Sequence, residues 1–242
     1  MEHAGRTGGL PFVGVGWYRT EFDVPQFQAG KRATILFDGA MSHANVYING
    51  QKVGYWPYGY NSFHFDITKY LKPGEKNTLA VRLENLPESS RWYPGAGLYR
   101  NVHLIVTEDA YIPVWGTYIT TPSVNEKFAK VNVLTKVVLP EGADPAKYSV
   151  ETSVWNPNKQ KLTAVRTSLA QMKYNNNQAE QEFVIQAPSL WSPEMPALYS
   201  AETRLYEGDK LKDVYTTPSG IRSIEIIPDK GFFLNGKRTV FK

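Results

Sequence analysis

Arg91, Trp92 and Tyr93 stand side by side in RWYPGAGLYRNV, residues 91 to 102. Pro94 fixes φ, while Gly95 and Gly97 permit a sharp reversal, so the sequence offers two rings and a guanidinium on a stiff loop. An aromatic face stacks on the C–H surface of a pyranose, and arginine gives planar donors to hydroxyls or to an acidic group. The same side chains would also serve as interface anchors, with Arg91 pairing a carboxylate across the interface. A second cluster, Tyr55-Trp56-Pro57-Tyr58-Gly59-Tyr60, runs into Asn61 and poses the same choice. Pro57 and Gly59 break strand alternation, which predicts a rim or interface loop carrying Trp56 and Asn61.

Other chemistries find no support. The chain has no cysteine, which removes disulfides, thiolate metal sites and cysteine nucleophiles. His3, His43, His64 and His103 are scattered without the spacing of a zinc site. Strand alternation sets His64 and His103 opposite their apolar neighbours. No G-x-S-x-G elbow occurs, and the GVG at 14–16 and GAG at 95–97 lack the third glycine and helix of a dinucleotide loop. No carboxylate-dense loop demands calcium. No metal, cofactor or catalytic residue is therefore expected.

These residues must be positioned by strands. ANVYINGQKV alternates Val46 and Ile48 with Asn45 and Tyr47, then supplies Asn49-Gly50 as a two-residue hairpin turn. NTLAVRLEN places Leu79, Val81 and Leu83 on one face and Arg82 and Glu84 on the other; LYRNVHLIV repeats the pattern through Val102, Leu104 and Val106. Pro73-Gly74 marks a turn, and DITKYLK reads as a short helical turn capped by Asp66 or Thr68. After about residue 108 come KVNVLTKVVL, KYSVETSVWN, KLTAVRTSL, EQEFVIQA, LYSAETRLY and LKDVYTTP, with turn signals between them. The expected organisation is all-β: two antiparallel sandwiches, 1–108 and 109–220, then a tail, 221–242. Trp155 and Trp191 are expected inside the second sandwich. In the tail, GFFLNGKRTVFK reads as a hairpin turning at Asn235-Gly236 with no evident sheet to join.

The 242 residues carry a net charge of +4, with basic and acidic side chains interleaved. Such a surface is not a phosphate-tracking stripe, which disfavours nucleic acid. No apolar run is long enough to cross a bilayer, which disfavours a membrane, and MEHAGRTGGLPF lacks the apolar core of a secretory leader. The aromatic content of 13% suits β-structure, carbohydrate contact and plain core packing alike.

GWYRTEFDVP, VYINGQKVGYW, FDITKYL, NTLAVRLEN and RWYPGAGLYRNVHL form an ordered series that resembles the N-terminal sugar-binding domain of glycoside hydrolase family 2. That family comprises β-galactosidases, β-glucuronidases and β-mannosidases. SLWSPEMPALY and GIRSIEI resemble its immunoglobulin-like second domain, and GFFLNGKRTVFK is similar to the lead-in to its catalytic barrel. The resemblance covers residue 8 to the end, and RWYPGAGLYRNV looks most like the β-galactosidase branch.

The resemblance implies a jelly-roll-like sugar-binding sandwich, an immunoglobulin-like sandwich and the start of an absent TIM barrel. Retaining members hold two carboxylates about 5–5.5 Å apart, on strand ends of a barrel of about 250 residues. The two sandwiches already use this chain's length, so the implied role is non-catalytic. The partners implied are a β-linked galactoside or related glycan and the chain's own barrel, and self-association is expected where the barrel's seat lies bare. The family's habit implies a periplasmic or secreted location. Asn125-Glu126 reproduces the dipeptide that carries the family's acid/base, but in TPSVNEKFA it reads as a polar loop. Several members place an acidic residue at the position matching Arg91; Arg91 cannot accept a proton there. Arg91, Trp92, Tyr93, Trp56 and Asn61 are the candidate substrate-edge residues, with packing against the barrel as the other reading. A free-standing carbohydrate-binding or adhesion module is the alternative function.

Overall fold

The computed structural model describes residues 14–24, 26, 30–86, 96–171 and 178–241. The chain divides into two compact units, Met1–Thr107 and Glu108–Lys242.

In the first unit, β1 (Gly14–Asp23), β2 (Arg32–Phe37), β3 (Ala44–Ile48), β4 (Gln51–Trp56), β5 (Phe63–Asp66), β6 (Lys76–Asn85) and β7 (Val102–Thr107) form two antiparallel sheets. Their orders are β1-β6-β3-β4 and β5-β2-β7. The core lies between them: Ala33, Ile35 and Phe37 of β2 meet Val46, Ile48, Leu79, Val81 and Leu83. The expected alternation of β6 is therefore observed. Asn49 and Gly50 adopt φ of 50° and 80°, the left-handed pair that a tight β3–β4 hairpin requires. The helical turn is a 3-10 turn at Thr68–Tyr70, and Asp66 Oδ1 accepts the Thr68 N–H at 2.8 Å.

β7 departs from the sequence expectation. Val102, Leu104 and Val106 pair with Phe37, Ile35 and Ala33, and so share the core-facing side of the sheet. They are nevertheless 36–40% exposed. β7 is an edge strand with a neighbour on one side only, so its inward side chains lie at the margin of the core.

In the second unit, β8 (Thr117–Val124), β9 (Phe128–Lys136), β10 (Tyr148–Trp155), β11 (Lys161–Ser168), β12 (Gln178–Gln186), β13 (Tyr199–Glu207) and β14 (Lys210–Ser219) form a second sandwich. The sheet orders are β11-β10-β13-β14 and β12-β9-β8. Gln181 joins the sheets: its buried Nε2 donates to Val150 O at 3.1 Å, Val165 O at 2.8 Å and Thr167 Oγ1 at 3.1 Å. Trp155 is half-buried with Nε1 enclosed. Trp191, expected inside the sandwich, lines a cleft at its end instead, with its ring against Gly220 and Arg222.

The tail does find a sheet. β15 (Ile224–Ile227), β16 (Gly231–Leu234) and β17 (Lys237–Arg238) pair in that order, with Asn235 and Gly236 at φ of 52° and 74° in the predicted turn. The missing partner was GIRSIEI, whose Ile224–Ile227 pairs with Gly231–Leu234 in register.

Candidate functional site

Three segments meet at one end of the first sandwich: the turn after β2, the β4–β5 loop and the run into β7. Met41 and Gly97 exchange backbone hydrogen bonds, each at 3.1 Å. Gly97 has a φ of 104°, and a Cβ there would press on the Tyr18 hydroxyl. Tyr99 Oη donates to Gly59 O at 2.9 Å. Gly59 lies on Met41, whose sulfur and methyl fill the space a side chain would need. Ser62 Oγ donates to Asp38 O at 3.1 Å. The glycines that break the sequence pattern are thus close-approach points that tie the loops together.

Arg91, Trp92 and Tyr93 lie outside the described residues. Asn61 is exposed. Trp56 is not a rim residue in this arrangement. It pairs with the fully buried Ala44, so the ladder register turns it inward, where it stacks on Phe63 at 5.6 Å and packs on the core. The strand continues through Trp56, with a register shift at Val53 that leaves both Val53 and Trp56 on the core, and it ends at Pro57. The exposed rings are Tyr55, Tyr58 and Tyr60, with Tyr58 and Tyr60 edge-on at 5.6 Å.

The outward face of the adjoining sheet continues the surface. Register sets Trp17, Arg82, Asn45 and Tyr55 in one row across β1, β6, β3 and β4. Trp17 is 59% exposed and lies 5.6 Å from the Tyr47 ring. His43 Nδ1 is 2.6 Å from Tyr55 Oη. Arg82 and Glu84 form an ion pair, and the hydrogen bond from Arg82, with the charges of Arg82 and His43, holds the Glu84 carboxyl below its usual value. His103 Nε2 lies 3.0 Å from Asp38 Oδ2. Sequence reasoning missed Trp17 as a surface residue; the alternation of GWYRTEF, with Phe22 packed on the core, is the signal that could have placed it.

Among its described residues this surface offers rings and hydrogen-bonding groups, and its Glu84 carboxyl is held low, the wrong direction for a general acid. A glycosidase acid is a carboxyl pushed up beside a second carboxylate. Among the described residues the carboxyl so displaced is Asp213, in the second unit. Burial raises it, against the hydrogen bonds it accepts from the Ile112 and Val214 amides. Both amides are backbone, and their geometry marks a structural role. Asp109 and Glu207 share Lys212 Nζ, at 2.9 and 3.5 Å. The hydrogen bond from Lys212 holds Asp109 low, the wrong direction for an acid. Asn125-Glu126 forms the β8–β9 turn, where Asn125 Oδ1 accepts the Lys127 and Phe128 amides at 2.8 and 2.9 Å and Glu126 is exposed. No group of three or more metal-ligating side chains gathers among the described residues.

Residues 11–108 match the sugar binding domain of the glycosyl hydrolases family 2, and residues 111–222 match a further domain of glycosyl hydrolases family 2. A β-galactosidase of Bacteroides ovatus is 40% identical over 242 residues, covering 99% of this chain and 28% of that protein. A β-glucuronidase of Bacteroides fragilis is 34% identical over 237 residues, covering 93% of this chain and 34% of that protein. The crystal structure of a glycosyl hydrolase family 2 member from Bacteroides cellulosilyticus superposes with a TM-score of 0.85 at 33% identity, covering 94% of this chain and 31% of that one. The chain thus spans about a third or less of these relatives.

Proposed function

Because this chain belongs to glycosyl hydrolase family 2, we propose that it is the non-catalytic N-terminal part of a retaining β-glycosidase that acts on β-galactosides or related glycans. The carrying observation is the order of the two matched domains, 11–108 then 111–222, in a chain that spans only 28% of the β-galactosidase it resembles. The two carboxylates of a retaining double displacement come from a barrel outside this chain. One carboxylate attacks the anomeric carbon while the other protonates the leaving oxygen; water then releases the sugar. This chain orients that barrel and forms one edge of its pocket. Arg91, Trp92, Tyr93 and Asn61 reach the substrate edge, where rings meet pyranose C–H groups and the guanidinium donates to hydroxyls. The RWYPGAGLYRNV loop and the 40% identical relative favour galactoside over glucuronide. The protein acts in the periplasm or outside the cell, in keeping with the family's habit.

The test is hydrolysis of chromogenic β-galactosides and β-glucuronides by the whole protein, with the anomer of the first product followed by proton NMR. Galactoside turnover with retention is expected. Inversion, or a full-length protein that binds glycans without cleaving them, would overturn the reading, the latter in favour of a binding module.

A further inference from the structure

An open cleft of about 710 Å³ lies at the end of the second sandwich, between β8, the segment around Trp191 and the chain leaving β14. Its floor is an ordered pair: the Arg222 guanidinium sits over the Trp191 ring, 5.2 Å from its centroid. The pair is pinned from several sides. A Cβ on Gly220 would meet the ring at 2.7 Å, so only glycine lets the indole lie against that backbone. Arg222 Nη1 donates to Gly220 O at 3.2 Å, and Thr121 Oγ1 donates to Arg222 O at 2.9 Å. Asn235, from the β16–β17 turn, donates to Trp191 O at 3.0 Å and accepts from Ser223 N at 3.0 Å.

Two features show what the cleft lacks. Arg222 makes no ion pair among the described residues. Aliphatic groups, among them Ile119, Leu198 and Ile224, share the walls with the hydroxyls of Thr121, Ser219 and Ser223, and Leu198 and Ile224 are 50% and 55% exposed. A fixed guanidinium among aliphatic and hydroxyl side chains fits a polypeptide that brings one carboxylate among apolar and polar side chains.

We propose that this cleft is the seat of the polypeptide that follows Lys242, which places an Asp or Glu carboxylate against Arg222. This rests on the reading of the chain as the leading part of a longer glycosidase, and it adds the docking position and its chemistry. Three observations select that occupant. The chain spans only 28% of its 40% identical relative. The second family match ends at Arg222 itself. The chain beyond it starts on the cleft's rim with β15 and carries exposed apolar side chains, Ile226 in β15 and Val240 after β17, 77% and 70% exposed, on toward the C-terminus.

Amide hydrogen exchange on the whole protein tests the seat. In the wild type, amides of 119–124 and 220–224 should exchange at least tenfold more slowly than in Arg222→Glu, with Arg222→Lys close to wild type and β2–β6 unchanged in all three. Equal exchange in wild type and Arg222→Glu, with galactoside turnover intact, overturns the seat and leaves the glycosidase reading standing. Protection of the cleft in a protein without turnover supports the seat and removes the glycosidase reading. Protection that appears only on adding galactose or glucuronate also overturns the seat, in favour of a sugar site.

Discussion

Asn49 donates from Nδ2 to Asn77 Oδ1 at 2.8 Å, so the turn residue of one hairpin is locked to a fully buried amide at the start of β6. Asn77 also accepts from Lys72 N at 2.8 Å and donates to Lys72 O and Glu75 O, both at 2.9 Å. Asn49 Oδ1 in turn accepts Thr78 N at 3.0 Å. Two sequence motifs that look like unrelated turns, Asn49-Gly50 and Pro73-Gly74, are thereby one hydrogen-bonded junction.

Asn77→Ala should therefore destabilise the first unit by about 2–4 kcal/mol, because truncation strands several buried backbone groups at once. Urea unfolding followed by the fluorescence of the first-unit tryptophans should show a lower midpoint with an unchanged slope. A loss below about 0.5 kcal/mol would mean that water replaces the side chain.

Gly97→Ala meets two obstacles, a left-handed φ and the Tyr18 hydroxyl. A cost of about 1–3 kcal/mol is expected. Tyr18→Phe in the same protein should restore only the steric part, so the double variant should melt between Gly97→Ala and wild type.

Lys212 holds Asp109 below its ordinary carboxyl value. A carboxyl depressed by folding contributes stability that is present above its unfolded value, near 3.8, and is lost as pH falls through the folded value. Lys212→Met should raise the Asp109 titration midpoint measured by NMR and flatten the acid limb of the second unit's stability below about pH 4. An unmoved midpoint would refute the pairing.

Val102, Leu104 and Val106 form an exposed apolar strip on an edge strand. Leu104→Lys should lower self-association of the 242-residue chain in sedimentation velocity, since a charge on an edge strand blocks strand addition, with a small drop in unfolding midpoint because the side chain lies at the core's margin. Unchanged association would place the contact elsewhere.

Much of this was legible in the sequence where local geometry alone decides. Leu79, Val81 and Leu83 are buried as their alternation requires, and both Asn-Gly pairs adopt the positive φ values that the residue types favour. What depended on neighbours was not legible. TPSVNEKFA reads as a polar loop, yet its Thr121–Val124 complete β8, where the register shift between Thr120 and Ser123 accommodates Pro122. Val102, Leu104 and Val106 alternate correctly, but alternation cannot say that β7 is an edge. Trp56 looked like part of a rim loop because it precedes Pro57, yet its register with Ala44 fixes it inward. Of the site, the glycines and the exposed Asn61 could be read from sequence. The row of Trp17, Arg82, Asn45 and Tyr55 could not, because four separate segments must pair before it exists.

The central proposal is that the hydrolytic centre lies outside the two β-sandwiches and the short third sheet. The direct measurement is release of nitrophenol from a nitrophenyl β-galactoside by the purified 242-residue chain, run beside the whole protein at equal concentration. The account predicts background release by the chain and sustained turnover by the whole protein. Sustained turnover by the chain alone, surviving further purification, would contradict it.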